Sequence, residues 1–352
     1  MPRPSTHSVL VIGAAGAFGA AITLELLGRG VHVRIFTRDL EKARRRFGNR
    51  ANADYLTGDA FDNTITAKAM LGCQGIILTL NVPADQQCKR AGELLRMFTQ
   101  HAKQSPKSAP AASTSSDVGD VEDVGAATDV APSARADSMF TPAILIPTCL
   151  GDDPTAADSL RAVAASLSSR AILLRTGRFY GSTIRNPLVD SIFRSALEWR
   201  TIRAPGSLDA QYPWTYAPDA ARAAIDLLLL ATDAAPATTL APLTHVDFVP
   251  ADLAAQRQFL ETVGAAAIRL TSPAGPDADP AASQHPPHVG EMPGWKLTLA
   301  SLTNPHMKQV RAQQHLWTSP PPLNAVTFGG LLPEFAHTPL ELAARTTLTS
   351  YR

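Results

Sequence analysis

Residues 8–30 read Ser-Val-Leu-Val-Ile-Gly-Ala-Ala-Gly-Ala-Phe-Gly-Ala-Ala-Ile-Thr-Leu-Glu-Leu-Leu-Gly-Arg-Gly, and this stretch constrains the fold more than any other. Ser8–Ile12 is a short β-rich apolar run, glycines at 13, 16 and 19 interrupt it, and apolar residues then recur at helical spacing until Gly28 and Gly30 stop them. The order is strand, tight turn, helix. In that context the glycine spacing has a mechanism. Gly13 permits the turn, Gly16 lets a pyrophosphate approach the backbone, and Gly19 lets the helix lie close to the strand. Free N–H groups at the helix start receive phosphates. A glycine-rich turn that serves packing alone is the competing reading.

The same alternation continues. Strands are expected at 32–36, 54–57, 75–80, 143–147 and 171–175, with helices at 39–47, 64–71, 83–101 and 156–168. A βαβ rhythm of this kind implies a parallel sheet with right-handed crossovers. The fold class is therefore α/β, a Rossmann-type doubly wound parallel sheet threading residues 8–175, followed by a smaller C-terminal α/β substrate lobe. Domain bounds of 1–182 and 183–352 follow, with some segments of the lobe returning to the sheet. Helices are expected in the lobe at 187–197, 218–231, 251–263, 299–316 and 339–351. Two stretches, 104–138 and 272–290, are rich in Pro, Ala, Ser and Asp and read as a disordered insertion and a flexible loop.

Composition excludes several classes. Hydrophobic residues make up 45% of the 352 and charged residues 18%, enough for a sizeable core. No apolar run approaches the roughly 18 residues of a membrane span. A formal net charge of +1, from 32 basic and 31 acidic side chains, gives no general attraction for nucleic acid or anionic lipid. The N-terminus lacks the charged and apolar regions of a secretory signal, so a cytoplasmic location is the expectation. Cys73, Cys88 and Cys149 are odd in number and far apart, which argues against a disulfide framework or a structural zinc site. The histidines of His285-Pro-Pro-His288 read as solvated loop residues, and no metal is expected.

The cofactor implied is a dinucleotide, held along Gly13, Ala14, Gly16, Ala17, Phe18 and Gly19. An acid closing the second strand would hydrogen-bond the adenosine ribose, but this strand ends Phe36-Thr37-Arg38. Arg38, with Lys42 or Arg44 one turn on, offers cations to a 2′-phosphate and favours NADP over NAD. Arg38 could instead pair with Asp39 or Glu41. Asp59, followed by Ala60, would meet the adenine amino group, and Asn81 and Val82 would border the nicotinamide side.

These segments resemble the extended or atypical short-chain dehydrogenase/reductase superfamily, in its NAD(P)-dependent epimerase/dehydratase-like branch. The resemblance rests on Gly-Ala-Ala-Gly-Ala-Phe-Gly at 13–19, Val-Arg-Ile-Phe-Thr-Arg-Asp at 33–39, Gly58-Asp59, Leu-Leu-Arg-Thr-Gly-Arg-Phe-Tyr-Gly at 173–181, Trp-Thr-Tyr-Ala-Pro-Asp-Ala-Ala-Arg-Ala at 214–223 and the closing segment from Thr338. It implies substrate captured between sheet and lobe, with residues 175–181 crossing toward both and Asn186 opening the substrate loop. Tyr216 is a second substrate-binding candidate, and the helices after Pro83 and Ala156 could pair across a homodimer interface.

One departure stands out. The superfamily's Tyr-x-x-x-Lys pair, which moves the substrate proton, has no counterpart: no Tyr is followed by Lys four residues later, and no lysine occurs between Lys107 and Lys296. Thr148 could orient a substrate oxygen, or cap the next turn. Tyr180 could replace the missing acid, or pack under the lobe. Three functions remain open: an NAD(P)-dependent oxidoreductase or epimerase-like enzyme acting on a small carbonyl or hydroxyl compound, a non-catalytic NADP(H) sensor, and an inactive structural relative.

Overall fold

The computed structural model describes residues 8–104, 142–149, 157–198, 200–232, 240–250, 253–271 and 287–352. The expected insertion at 104–138 lies, after Gln104, outside the described residues, as do residues 272–286 of the expected loop.

Elements of the first half run β1 (Ser8–Ile12), α1 (Ala17–Gly28), β2 (His32–Thr37), α2 (Leu40–Phe47), β3 (Ala53–Thr57), α3 (Asn63–Met70), β4 (Gly75–Leu78), α4 (Ala84–Gln104), β5 (Ala143–Cys149), α5 (Asp158–Ser166) and β6 (Arg170–Thr176). Then come β7 (Arg178–Tyr180), α6 (Pro187–Leu197), β8 (Ile202–Ala204), β9 (Trp214–Tyr216), α7 (Ala217–Thr232), β10 (Leu243–Asp247), α8 (Gln256–Thr271), β11 (Val289–Glu291), α9 (Gly294–Thr303), α10 (Pro305–Ala312), α11 (Gln314–Thr318), α12 (Ala325–Leu331) and α13 (Leu340–Thr349).

A single seven-stranded sheet, ordered β3-β2-β1-β4-β5-β6-β10 and parallel throughout, forms the centre. Strand alternation serves two cores. Val9, Val11, Ile77, Leu145 and Leu174 face α1 and α7, whereas Leu10, Ile12, Ile76, Ile144 and Ile146 face α3, α4 and α5. Burial on both faces explains why these strands read as continuous apolar runs, and each buried large aliphatic contributes about 1.5–3 kcal/mol. The strand order reverses between β1 and β4, and the crevice opened there at the carboxyl ends of the strands is where such sheets take ligands.

Three details differ from the sequence reading. β10, a lobe segment returning to the sheet as expected but at a place the sequence did not mark as a strand, adds a seventh strand beside β6, with Leu243 opposite Ala171 and Asp247 opposite Arg175. The helix expected at 299–316 is three helices, because Asn304 accepts hydrogen bonds from the N–H groups of His306 and Met307 and so starts α10 at Pro305. Residues 289–290, expected in a flexible loop, belong to β11 and pair with β8.

The lobe is anchored twice. Phe18 of α1 stacks on Phe179 of β7 with ring centroids 4.2 Å apart. Asp219 near the start of α7, almost fully buried, accepts from Arg222 at 2.7 Å and from the Thr338 N–H and hydroxyl at 2.7 and 2.6 Å, fixing the chain before α13. No helix among the described residues is long and apolar enough to cross a membrane.

Candidate functional site

The glycine turn sits at the reversal point of the sheet. Gly13 has φ +83°, and a Cβ there would meet the Thr79 carbonyl oxygen at 2.4 Å; one on Gly19 would meet the Gly13 oxygen at 2.3 Å and Thr79 Oγ1 at 2.6 Å. Thr79, just past β4, is itself locked to β1 by its N–H and hydroxyl, both donating to the Ile12 carbonyl at 2.9 Å. Two of the three glycines therefore let β1, β4 and α1 meet. Gly16 differs: it is exposed, a Cβ would meet only the Gly13 oxygen at 3.0 Å, and it caps α1 without a side-chain bond. Ala17 is exposed beside it, while Ala14 and Phe18 are buried, so Phe18 offers its N–H to this opening and its ring to Phe179. The first helical N–H groups of α1 thus face an open crevice with the positive end of the helix behind them.

At the end of β2, Arg38 is exposed and forms no ion pair among the described residues, whereas the Asp39 carboxylate caps α2 by accepting from the Lys42 N–H at 2.9 Å. The pairing of Arg38 with Asp39 or Glu41 is therefore not made. Asp59 is exposed after β3 and its Oδ1 accepts from the Phe61 N–H at 2.9 Å. Arg90 of α4, which the sequence reading passed over, supports this loop from beneath. It is 2% exposed and donates to the Ala60 carbonyl at 2.7 Å, to Asn63 Oδ1 at 2.6 Å, to Thr66 Oγ1 at 3.1 Å and to Glu93 Oε2 at 2.7 Å. Asn81 is exposed at the same edge of the sheet, and the Val82 carbonyl accepts from Gln87 at 3.2 Å.

Thr148 lies at the end of β5 in register with Arg175 and lines a cavity of about 360 Å³ with Cys88, Arg175, His245, Asp247 and Asn324. Arg175 and Asp247 form a two-point pair, Nε to Oδ1 at 2.8 Å and Nη2 to Oδ2 at 2.5 Å, and this bond to Asp247 pushes the Arg175 pKa up. Burial, with Arg161 adding to it, holds the His245 imidazole below the usual histidine range.

The other candidates do not join Thr148. Tyr180 requires the clearest correction: instead of facing a cleft, its ring is 3% exposed, packed between Phe193, Tyr216 and Phe259 at 6.2, 5.4 and 5.2 Å. Helices α6 and α8 close over it. Asn186 caps α6, its Oδ1 accepting from the Val189 N–H at 3.0 Å, and Tyr216 lies against Tyr180 with its phenol bonded to Thr346. Neither lines the Thr148 cavity.

A different set of side chains gathers where β5 and β6 end. Cys149, exposed, is in register with Thr176, and Arg178 begins β7 two residues later. A Cβ on the intervening Gly177 would collide with the Pro213 carbonyl at 1.6 Å, so this crossing tolerates only glycine. The Tyr212 phenol lies near Arg178 and Cys149; burial pushes its pKa up against the opposing pull of Arg178. Gln313 Oε1 accepts from Arg178 at 3.2 Å, and Trp317 lies under the guanidinium at 4.9 Å.

Residues 5–96 match the NmrA-like family. WbmH of Bordetella bronchiseptica, solved in complex with NAD+, is 12% identical with a TM-score of 0.57, and 98% of each chain is covered. UDP-N-acetylglucosamine 4-epimerase from Bacillus cereus is 10% identical with a TM-score of 0.57, covering 97% of this chain and 96% of that one. UDP-glucose 4-epimerase from Thermotoga maritima is 10% identical with a TM-score of 0.56 and 98% of each chain covered. Among curated proteins, none matches. The chain shares the fold of these three solved structures.

The resemblance drawn from the sequence would place a Tyr and a Lys on the helix after β5. The described part, α5, holds Asp158-Ser159-Leu160-Arg161 in its first turn, and residues 150–156, whose sequence contains neither Tyr nor Lys, lie outside the described residues. Tyr212, a residue the sequence reading considered only for its missing lysine partner, lies near Cys149 but is itself buried, 5% exposed and stacked on Trp317 at 4.2 Å. The signal available in the sequence was weak: Tyr212 precedes Pro213 and Trp214, and its approach to β5 depends on the lobe folding back.

Proposed function

We propose that the protein is an NADP(H)-dependent oxidoreductase or epimerase-like enzyme acting on a small carbonyl or hydroxyl compound taken up between the carboxyl edge of the sheet and the lobe. The observation that carries this reading is the open N-terminus of α1 at the β1/β4 reversal, with Gly16 exposed while Gly13 and Gly19 are consumed by packing. The N–H groups of Ala17, Phe18 and Gly19 would hold the pyrophosphate, Asp59 and Ala60 the adenine, Arg38 a 2′-phosphate, and Asn81 and Val82 the nicotinamide side. The complexes of similar folds with NAD+ support a nicotinamide dinucleotide, and the preference for NADP rests on Arg38.

The bound cofactor would supply or accept hydride, leaving this chain to orient substrate and move a proton. With Tyr180 and Tyr212 both enclosed by aromatic rings, the hydroxyl that lines the cavity at the strand ends is that of Thr148.

The test is affinity for NADPH and NADH in wild type and Arg38→Ala, followed by turnover against carbonyls, alcohols and nucleotide sugars. NADPH preference that falls about tenfold in Arg38→Ala supports the assignment; an unchanged preference removes it. The absent Tyr-x-x-x-Lys pair favours a second reading, a non-catalytic NADP(H) sensor, and binding without turnover of any compound would establish that one instead.

A further inference from the structure

Four inward-facing arginines of this protein carry carboxylates, whereas Arg46 is spent on the Ala15 and Thr183 carbonyls. Arg29 pairs with Asp226 and Glu25, Arg90 with Glu93, Arg175 with Asp247 and Arg222 with Asp219. Arg178 has no such partner among the described residues: its contacts are the Gln313 amide oxygen, the Tyr212 phenol and the Trp317 ring, all neutral. A guanidinium over an aromatic ring, with only neutral hydrogen-bond partners, has no protein carboxylate to compensate it.

Its location gives that charge a use. Arg178 follows the end of β6, beside Cys149 at the end of β5, and α10 and α11 of the lobe supply the facing wall through His306, Gln313 and Trp317. Burial first and Arg178 second push the His306 imidazole pKa down, which keeps the ring neutral near pH 7 and adds no second cation. Nε2 of His306 and Nε1 of Trp317 are buried and have no hydrogen-bond partner among the described residues, so this wall holds polar capacity the fold itself does not use.

From this arrangement we propose that Arg178 receives the carboxylate of an acidic substrate, making the enzyme one that acts on a small oxo or hydroxy acid. One guanidinium among neutral neighbours balances one negative charge, which suits a carboxylate better than a doubly charged phosphate, and its planar fork matches two carboxylate oxygens. The inference rests on the reading of the strand ends as a substrate cleft.

Cys149 allows a direct test that needs neither cofactor nor turnover. Cys73 and Cys88 are buried at 1% and 2% exposure, so alkylation of the native protein reports the exposed Cys149. Iodoacetate carries a carboxylate and iodoacetamide, of nearly equal size, does not. A change in the thiol itself would alter both rates together, so their ratio isolates recognition of the carboxylate. The ratio of iodoacetate to iodoacetamide rates is expected to fall about tenfold from wild type to Arg178→Gln, as for loss of one charge-assisted hydrogen bond. The wild-type iodoacetate rate should also saturate and be slowed by acetate. An equal ratio in the two proteins, or in wild type alone a rate that acetate does not change, overturns the proposal. NADPH titration of the same samples separates the two readings: carboxylate selectivity without NADPH binding removes the cofactor assignment alone, and NADPH binding without selectivity removes the acid site alone.

Discussion

Gly19→Ala and Gly28→Ala lie in the same helix and are expected to change stability in opposite directions. A methyl group on Gly19 would stand 2.3 Å from the Gly13 oxygen and 2.6 Å from Thr79 Oγ1, where ordinary contact begins near 3.4 Å. The first of these atoms belongs to backbone that cannot swing aside, and Thr79 is held to Ile12 at 2.9 Å. The start of α1 must therefore retreat by about 1 Å, and overpacking of this kind costs about 3 kcal/mol at the upper end of its range. Alanine's helix propensity returns about 1 kcal/mol, leaving a net loss of about 2 kcal/mol. At Gly28 nothing lies within 4 Å and φ is not positive, so the same substitution stabilises by about 0.5–1 kcal/mol. Urea denaturation followed by the fluorescence of the buried Trp214 and Trp317 measures both. A Gly19→Ala variant as stable as wild type, with an unchanged denaturant slope, would refute the account of why α1, β1 and β4 meet as they do.

Three other outcomes follow from specific contacts. Asp219→Ala leaves the Thr338 N–H and Arg222 without their acceptor and should cost about 3 kcal/mol, less than the full value for a buried pair because Arg222 is partly solvated; limited proteolysis should then release the segment after Thr338 first. Arg90→Met strips three hydrogen bonds from the loop and helix start at Ala60–Thr66, and a fourth from Glu93, and should cost about 2–4 kcal/mol, with hydrogen exchange rising in residues 59–66 before the rest of the sheet. His245 and His306 both have pKa values lowered from 6.5, chiefly by burial. Below pH 6.5 the unfolded chain takes up protons that the folded one declines, so stability present above 6.5 falls as pH drops through the folded values; a His245→Gln/His306→Gln variant should show a shallower decline between roughly pH 6.5 and 5.

What could be read from the sequence was the local part. Period and punctuation were enough for β1 through β6, since parallel strands buried on both faces and helices closed by glycine leave strong marks. β10 left none: Leu-Thr-His-Val-Asp looks like any short mixed segment, and it is a strand because Ala171–Arg175 offers an unpaired edge. The break at Asn304-Pro305 was legible, a capping residue before a proline, and was outweighed by the apolar repeat on either side. At the site, glycines and Arg38 announce themselves by position in a βαβ unit. Tyr180 misled because exposure is a tertiary property, decided by Phe193 and Phe259 from distant helices. Arg178 was invisible as a candidate for the same reason, since a missing carboxylate partner can be recognised only once every neighbour is in place.

The central claim is that the open end of α1 holds a dinucleotide, and Gly16→Asp tests it most directly. Gly16 has the extended backbone of a helix cap, φ −69° and ψ 172°, and no side-chain cap. An aspartate there should bond the free N–H groups, a cap worth about 0.5–2 kcal/mol that offsets the 3.0 Å contact of its Cβ with the Gly13 oxygen, while its charge occupies the place a phosphate would take. Titration of NADPH, followed by its fluorescence, into wild type and Gly16→Asp gives the answer. The account predicts saturable binding to wild type and an affinity reduced by about a hundredfold or more in a variant that still unfolds cooperatively. Equal affinity in the two proteins would contradict it.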